Sequence, residues 1–503
     1  MSRLNQQKAG VLLSYVNLAL GSIIPLFYTP IMLSILGQSE YGLYALSNSV
    51  TSYLTLLNLG MGSAIVRYVA KYRVENNTEG VRRLIGLFIT LYSCMALIVC
   101  AVGGGLSVFS DKLFAKGLTP DENGRMKILV VIMTLNVAIS LPISTFSSVI
   151  SAYERFTFAK TLGICETVMI PVFNLAVLYL GKGSVGMALI GLAVQIISGV
   201  IYVAYCAKKI HITPSFRNMP KELLKEIAGY CFFIFLSTIV DMLYWSTDKV
   251  LIGAVIGTVA VAVYNVGGVF TTIMQSLAQA ISQVFTPRIM MIASKKNQSS
   301  EEISELMIRI GRLQFYIVSF ILSGYVVFGQ RFVKFWAGEG YDAAYYVALL
   351  TMVPLAVPLI QSIAYSTMVA QNKHSFRAIV YAVIAVLNVI STYLVLPYYG
   401  IIGAAVCTAV AFALGNGIIM NIYYHRSMKL NIKGFWMNIF RIIPVPLVMA
   451  IGAWLVVNRL WTGDSLVVFL LAVAVYSVVF WLLNWFICLN KYEKQLLLGM
   501  FRR

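Results

Sequence analysis

Residues Val11–Leu36 read VLLSYVNLALGSIIPLFYTPIMLSIL and contain no Asp, Glu, Lys or Arg. The stretch Val250–Pro287 is equally free of charge. A helix of about 20 apolar residues crosses the hydrocarbon core of a bilayer. Because each charge at the centre of a membrane helix costs about 2.5–3.5 kcal/mol on an insertion scale, stretches of this kind are typical of membrane spans.

The composition of the whole chain agrees with this interpretation. Of the 503 residues, 59% are hydrophobic and 11% are charged, and the mean hydropathy is +0.83. Ordinary soluble domains are about 25% charged, and barrel strands alternate apolar and polar residues, unlike these continuous runs. We therefore expect an all-α integral membrane protein with about 14 transmembrane helices. The expected spans are residues 10–36, 41–66, 84–109, 128–150, 161–181, 185–206, 229–253, 258–286, 313–330, 343–370, 378–397, 400–424, 442–460 and 465–488.

The distribution of basic residues predicts the orientation. An even number of spans places both termini on one side of the membrane. The terminal segments and even-numbered links contain 29 of the 38 Lys and Arg residues, the odd-numbered links contain 8, and Lys249 lies within a span. Because Lys and Arg are enriched in cytoplasmic loops, both termini are predicted to be cytoplasmic.

Other functional classes find little support. The net charge of +19 comes from residues at span ends, where anionic headgroups attract cations, so it does not indicate a nucleic-acid partner. The seven cysteines lie in or beside apolar spans without the spacing of metal ligands. No G-x-x-x-x-G-K-[ST] loop occurs in the sequence. We expect no metal site, no cofactor and no nucleotide-driven step within this chain.

Two tracts of the sequence recur at long range, with offsets of 220 and 214 residues. The matches are Leu36, Gly37 and Tyr44 with Ile256, Gly257 and Tyr264, and Asn174, Tyr179 and Gly186 with Asn388, Tyr393 and Gly400. We interpret them as a duplication, with six-helix bundles at residues 1–210 and 211–430, followed by two extra transmembrane helices and a cytoplasmic tail at 431–503. Bundles with an even number of spans are related by a pseudo-two-fold axis along the membrane normal, and they can rock about a cavity between them.

Several short motifs carry a resemblance to a known family. They are PLFYTP at Pro25–Pro30, LGQSEYGLY at Leu36–Tyr44, Asp248-Lys249-x-x-Ile252-Gly253, and Asn388 followed by PYYGIIGAA at Pro397–Ala405. With these motifs in this order, the chain resembles bacterial polysaccharide flippases of the multidrug/oligosaccharidyl-lipid/polysaccharide (MOP) exporter superfamily. The resemblance implies movement of an undecaprenyl-diphosphate-linked oligosaccharide from the cytoplasmic to the outer leaflet of the bacterial inner membrane, during assembly of capsule or O-antigen.

The physics of such a cargo suggests a mechanism. Polar groups without hydrogen-bond partners in hydrocarbon cost several kcal/mol each, so the head group needs a hydrated cavity while the prenyl tail stays in lipid. A membrane potential is worth about 2.3 kcal/mol per charge per 100 mV. We expect alternating access driven by the potential or by counterflow of protons or sodium ions.

Four ionisable residues lie inside the expected spans, and such residues are functional-site hypotheses by default. They are Glu166, Asp241, Asp248 and Lys249. Asp241 and Asp248 are seven residues apart, which places them on one face of a continuous helix, with Tyr244 and Trp245 nearby. We predict that these residues and Lys249 form a substrate-binding or coupling site in the central cavity. The alternatives are that Asp248 and Lys249 mark the outer helix end, that Asp241 makes a structural pair, and that Glu166 is a boundary residue.

Arg67 and Arg288 end spans 2 and 8 on the predicted cytoplasmic side. The planar guanidinium group suits phosphate, so both are candidates for a diphosphate-binding rim. The alternative is ordinary anchoring by basic residues at the cytoplasmic surface.

Three rival functions stay open at this stage. Two are transporters of the same superfamily, namely a cation-coupled multidrug exporter and a flippase for the peptidoglycan-precursor lipid. The third is a membrane glycan polymerase or glycosyltransferase. The short outer links offer little room for catalytic groups, so we expect a transporter and not an enzyme. The expected partners are the lipid-linked glycan, membrane lipids and a glycan polymerase.

Overall fold

A computed structural model of the chain describes residues 3–220, 222–293, 300–371, 373, 375–460 and 465–495. Helices make up nearly all of these ranges, and no strand occurs in them. A helix satisfies its own backbone hydrogen bonds, which hydrocarbon requires of any spanning segment. The expected all-α class is confirmed.

The helices of the first half are mostly long. They are α1 (Arg3–Ser52), α2 (Met61–Val74), α3 (Thr78–Leu113), α4 (Pro120–Ala152), α5 (Phe156–Tyr179), α6 (Gly183–Lys209), α7 (Leu223–Trp245), α8 (Thr247–Val255) and α9 (Thr258–Ala293). A 3₁₀ segment, Tyr53–Asn58, separates α1 from α2.

The second half contains shorter pieces. They are α10 (Ser300–Ala337), α11 (Asp342–Ile360), α12 (Ser362–Ala370), α13 (Ser375–Phe412), α14 (Met420–Arg426), α15 (Ile432–Phe440), α16 (Pro444–Leu460) and α17 (Leu466–Leu483). A π-helical stretch, Ala413–Ile419, joins α13 to α14, and another, Asn484–Cys488, follows α17.

Eleven helical stretches within the described residues are long and apolar enough to cross a membrane. Two of them, Leu12–Val74 and Phe376–Arg426, have 63 and 51 residues. At 1.5 Å per residue these are far longer than one crossing needs, and each bends at a glycine with positive φ, Gly37 and Gly400. If each of these two long stretches is counted as two spans and α7 is added to the eleven stretches, the number of spans agrees approximately with the predicted 14.

The chain forms two compact units, Met1–Ala262 and Val263–Arg503, called here the first and second unit. In the first unit, Leu84, Phe88 and Tyr92 lie four residues apart on α3 and are completely buried. That spacing places them on one helical face. Helices α7 and α8 pack against α2 and α1 within this unit. The division into repeats at residues 1–210 and 211–430 stays a prediction.

The second unit includes the two C-terminal spans. Phe328 of α10 makes edge-to-face contacts with Phe469 and Tyr476 of α17, at ring-centroid distances of 6.0 and 5.5 Å. Such aromatic pairs add about 0.5–1.5 kcal/mol to the energy of burial. The last spans are therefore packed onto α10.

Candidate functional site

The second predicted span of the first unit is a broken helix. Regular α-helix stops at Ser52, and Tyr53–Asn58 form a 3₁₀ segment. Leu59 and Gly60 then adopt left-handed conformations, with φ of 52° and 65°. A Cβ atom at Gly60 would lie 2.3 Å from Cγ2 of Ile234, so both the backbone conformation and the packing require glycine here.

A second helix is interrupted beside this break. Helix α7 ends at Trp245, Ser246 has φ of −113°, and α8 begins at Thr247. Ser52 Oγ donates a hydrogen bond to Ser246 Oγ at 3.2 Å, and the Tyr53 hydroxyl lies 2.5 Å from Thr247 Oγ1. We call residues 52–60 and 245–248 together the paired break. Interrupted membrane helices expose backbone dipoles, and transporters use them to build ligand and ion sites.

A carboxylate lies within the paired break. Asp248 is only 2% exposed, in the first turn of α8. Tyr53 is close enough to interact with it electrostatically. Within the 3₁₀ segment of the paired break, Asn58 Oδ1 accepts a hydrogen bond of 2.7 Å from the Tyr92 hydroxyl. Lys249, the next residue, also interacts electrostatically with Asp248. Since burying an ionised carboxylate is expensive, Asp248 and these neighbours mark a candidate site for a cation or a proton.

The junction between α7 and α8 falls between Asp241 and Asp248. Ser246 stays in the helical region, and the i→i−4 bonds from Ser246 N to Met242 O and from Val250 N to Ser246 O, at 3.0 and 3.4 Å, continue across it. Asp241, Tyr244 and Trp245 belong to the last turns of α7, and their side chains lie outside the described residues. Lys249 follows Asp248 and is partly buried. The role predicted for these residues stays a prediction.

The remaining predicted residues are spread over other helices. Arg67 is exposed on α2, with its guanidinium carbon 5.8 Å from the ring centroid of Tyr68. Arg288 belongs to α9, and its side chain lies outside the described residues. Glu166 is partly buried on α5. Their predicted roles are not decided by these positions.

A hydrogen-bond cluster at the predicted outer ends of the first-unit helices was not anticipated. Glu122 accepts hydrogen bonds from Ser39 at 2.5 Å and from Thr258 at 2.6 Å. Glu40 accepts from the backbone N–H and the hydroxyl of Ser184, at 2.7 and 2.9 Å. We call these five residues the outer cluster.

The outer cluster ties the start of α9 to the start of α4 and to α1 just after its bend at Gly37. The backbones are in direct contact, since a Cβ atom at Gly42 would lie 1.8 Å from the carbonyl oxygen of Thr258. One sequence signal was available: Thr119 and Glu122 form a capping box before α4. The capping motif predicts the helix start, and the contact with Thr258 depends on the tertiary fold.

A buried ion pair in the second unit was also missed. Arg312 of α10 donates two hydrogen bonds to Glu493, from Nε to Oε1 at 2.6 Å and from Nη2 to Oε2 at 3.0 Å. Both residues are buried, and the Tyr316 hydroxyl donates to the carbonyl oxygen of Cys488 beside them. The pair fixes the segment after α17 onto α10. It joins residues 181 positions apart, and local sequence patterns carry no signal at that distance.

One further arginine is held by aromatic rings in the second unit. The guanidinium carbon of Arg377, in the first turn of α13, lies 4.1 Å from the ring centroid of Tyr365 and 4.4 Å from that of Tyr381. Cation–π contacts of this kind fix the guanidinium plane. Within the described residues, no group of three or more His, Cys, Asp or Glu side chains could hold a metal ion.

Comparison with known proteins agrees with this architecture. The family described as polysaccharide biosynthesis protein matches residues 8–293. The chain is 22% identical over 370 residues to a Haloferax volcanii protein named "Probable low-salt glycan biosynthesis flippase Agl15", covering 68% of this chain and 76% of that protein.

Two groups of solved structures share the fold. A structure of the lipid II flippase MurJ in an inward closed conformation superposes with a TM-score of 0.73 at 16% identity, covering 94% of this chain and 97% of MurJ. An inward-facing multidrug resistance MATE family transporter of the MOP superfamily gives a TM-score of 0.64 at 13% identity, covering 84% of this chain and 99% of the transporter. The resemblance noted in the sequence is confirmed: this multi-pass membrane protein has the fold of MOP superfamily transporters and belongs to the polysaccharide biosynthesis protein family.

Proposed function

We propose that this protein is a flippase that carries an undecaprenyl-diphosphate-linked oligosaccharide from the cytoplasmic to the outer leaflet by alternating access. The observation that carries the proposal is the paired break with its buried Asp248, in a chain with a MOP-type fold. Family membership and the flippase named among its relatives support the same cargo class. On this proposal the protein is a transporter and performs no covalent chemistry.

Asp248 is the proposed coupling residue. Asp248 directly follows Thr247, whose hydroxyl lies 2.5 Å from that of Tyr53, and its carboxylate interacts electrostatically with Tyr53. Oxygen atoms of this kind at helix interruptions suit a sodium ion or a proton. Binding and release of a cation there would change the net charge of the site. Because outward movement of two diphosphate charges gains roughly 4–5 kcal/mol at 100 mV, the potential and the cation can act together. Asp241 is the second candidate for this role.

The outer cluster is the proposed closure of the outer side. Glu122 and Glu40 hold the starts of α4, α6 and α9 to α1 near its bend at Gly37, on the predicted outer side, through short hydrogen bonds. Alternating access requires such contacts to exchange with water when the outer side opens. Arg67 and Arg288 are the proposed contacts for the diphosphate on the loading side, because guanidinium groups bind phosphate oxygens in pairs.

The proposed location is the bacterial cytoplasmic membrane, with both termini in the cytoplasm. The excess of Lys and Arg in the terminal segments and even-numbered links supports this orientation. A glycan polymerase acting on the outer leaflet is the proposed consumer of the translocated product.

The test is translocation by purified protein in liposomes. A diphosphate-linked glycan is supplied on one side, a membrane potential is imposed, and arrival on the other side is measured with a membrane-impermeant glycan-binding or glycan-cleaving probe. We expect arrival that depends on the protein and increases with an inside-negative potential. Efflux of a cationic drug without glycan movement would overturn the proposal in favour of a multidrug exporter.

One rival cargo has specific support. The MurJ structure covers 94% of this chain and the MATE structure covers 84%, so the MurJ-like fold accounts for more of it. Flipping of the peptidoglycan-precursor lipid is therefore the second candidate function. The same liposomes supplied with that lipid distinguish the two, because a flippase for oligosaccharides should move the glycan-linked carrier faster.

A further inference from the structure

Helix α15 (Ile432–Phe440) precedes the thirteenth predicted span and has two different faces. Ile432, Phe435 and Ile439 are buried against the second unit. Their spacing of three and four residues places them on one face. The opposite face is left exposed, which is the usual design of a helix that lies at an interface.

Three contacts fix the orientation of α15. Phe435 fits against a glycine of α10, since a Cβ atom at Gly311 would lie 2.5 Å from Cε2 of the Phe435 ring. Trp436 Nε1 donates a hydrogen bond of 2.8 Å to Asn421 Oδ1. Asn431 caps the helix start, and its backbone N–H donates to Ser304 Oγ at 3.0 Å. The direction of the exposed face is therefore set by the fold.

The exposed face combines apolar and cationic side chains. Met437 is 50% exposed and Phe440 is 61% exposed. Lys433 and Arg441 are both exposed, and they lie four residues before and four residues after Met437, which places the three on one stripe. The sequence contains no Asp or Glu between Asp342 and Asp464, so no acidic residue of this long segment neutralises these cations.

Two acidic side chains of α10 line a cavity at the start of α15. Glu301 and Glu305 of α10 line a polar cavity of about 560 Å³ together with His425 and Lys429, and Lys433 and Arg441 are not among its lining residues. Glu305 also pairs with Arg309 at 3.2 Å. The face formed by Lys433, Met437, Phe440 and Arg441 is therefore apolar and positively charged.

We propose that this face of α15 binds anionic phospholipid headgroups, with Met437 and Phe440 inserted between the lipids. The chemistry that recognises the lipid is a pair of cations bracketing an apolar wedge. Since Trp436 joins α15 to Asn421 beside the π-helical stretch Ala413–Ile419, lipid binding would stabilise span 12 from the membrane surface. The inference needs α15 to lie at a membrane surface and does not depend on the cargo.

The experiment uses a photoreactive residue on that face. Benzoylphenylalanine is placed at Met437 in the full chain, which is reconstituted in vesicles of equal parts phosphatidylglycerol and phosphatidylcholine and irradiated. We expect crosslinks to phosphatidylglycerol to exceed those to phosphatidylcholine by roughly fivefold per contributing cation. The double change Lys433→Gln and Arg441→Gln should return the ratio toward one while leaving the melting temperature unchanged.

The matched control is Lys208→Gln with Lys209→Gln, which removes the same charge from exposed positions at the end of α6 on the same predicted side. The control should keep the preference for phosphatidylglycerol. A crosslink ratio of one in the unsubstituted protein, no lipid crosslinks at all, or an equal loss in the control would each overturn the proposal. Because the readout is lipid contact, it stays informative even if the chain moves no glycan.

Discussion

Each of the two units contains a stacked pair of aromatic rings, but the helices of the two units are interrupted at different places. Phe158 stacks on Tyr205 in the first unit, with ring centroids 3.7 Å apart, and Phe376 stacks on Tyr423 in the second, at 4.2 Å. Both residues of the second pair follow those of the first by the same 218 positions. The shared stack is the kind of contact that a duplicated scaffold keeps.

The interruptions are not shared. In the first unit, span 2 breaks at Tyr53–Asn58, and a buried carboxylate lies beside the break. Helix α9, which the predicted duplication pairs with span 2, is continuous from Thr258 to Ala293. The second unit is interrupted at Gln361, between α11 and α12, and at the π-helical stretch Ala413–Ile419.

The chemistry at these interruptions also differs. In the second unit, Gln361 Nε2 donates to Asn421 Oδ1 at 2.8 Å, and Asn421 Nδ2 donates to the carbonyl oxygen of Asn416 at 2.8 Å. These are neutral amides that satisfy one another and the freed backbone groups. The paired break contains an acid instead. The two interruptions thus differ in charge: the neutral network satisfies its own polar groups, and the paired break contains the acid for which we propose a role in coupling.

The largest expected effect is on transport by the Asp248→Asn variant. Asparagine keeps the size and hydrogen-bonding capacity and removes the charge, so potential-driven translocation in liposomes should fall by about a hundredfold. The melting temperature should change little. Unchanged transport in this variant would remove Asp248 from coupling and transfer that role to Asp241.

For Asn421→Leu in the second unit, we expect a loss of stability while transport is kept. The change leaves the buried donor of Gln361 and the partly buried donor of Trp436 without their acceptor, so the free energy of unfolding should fall by about 2–3 kcal/mol. Transport per folded molecule should be retained. Asn438→Leu is the control, since that side chain is partly exposed and bonds to its own helix. A transport defect without destabilisation would contradict the distinction between the two interruptions.

The Gly60→Ala variant tests whether the paired break needs its backbone shape. Gly60 has φ of 65°, and the added methyl group would meet Ile234, so the stability loss should be about 1–2 kcal/mol. Adding Ile234→Ala should not recover the part that comes from the backbone. Gly104→Ala, in helix α3 with no atom within 4 Å of the new methyl group, should be neutral or stabilising in the same thermal melt.

The smallest expected effect tests whether the stacked pairs of the two units are equivalent. Phe158→Leu and Phe376→Leu each replace one ring of a stacked pair, and each should lower the unfolding free energy by about 1 kcal/mol. If the stacks are equivalent, the two losses agree within measurement error and add in the double variant. A lower unfolding free energy in only one of the two variants would indicate that the two stacks contribute differently to stability.

Much of the fold could be predicted, and the turns show why. Gly37 and Gly400 were both placed at span boundaries, and both have positive φ at the bends of α1 and α13. Charge-free runs and turn glycines are local signals. Gly186, which the sequence comparison matched with Gly400, lies inside α6, and the glycines with positive φ in the preceding turn are Gly181 and Gly183, at 70° and 57°.

The candidate site was only partly predictable. An acid at position 248 in an apolar run is visible in the sequence, and its burial follows from its surroundings. Residues 41–66 read as one continuous span, whereas the chain is interrupted at Tyr53–Asn58. An apolar run of membrane length does not distinguish α from 3₁₀ geometry, because both helices satisfy backbone groups internally and a uniformly apolar run shows no period that favours either one.

The sequence by itself determined that this chain spans a membrane many times as α-helices, because the energetic cost of charge and of free backbone groups in hydrocarbon acts on every local stretch. Only the tertiary structure decided which polar groups meet: Tyr53 with Thr247, Glu122 with Thr258 and Arg312 with Glu493. These partners are 194, 136 and 181 residues apart. Their pairing depends on how helices pack, and no local pattern records it.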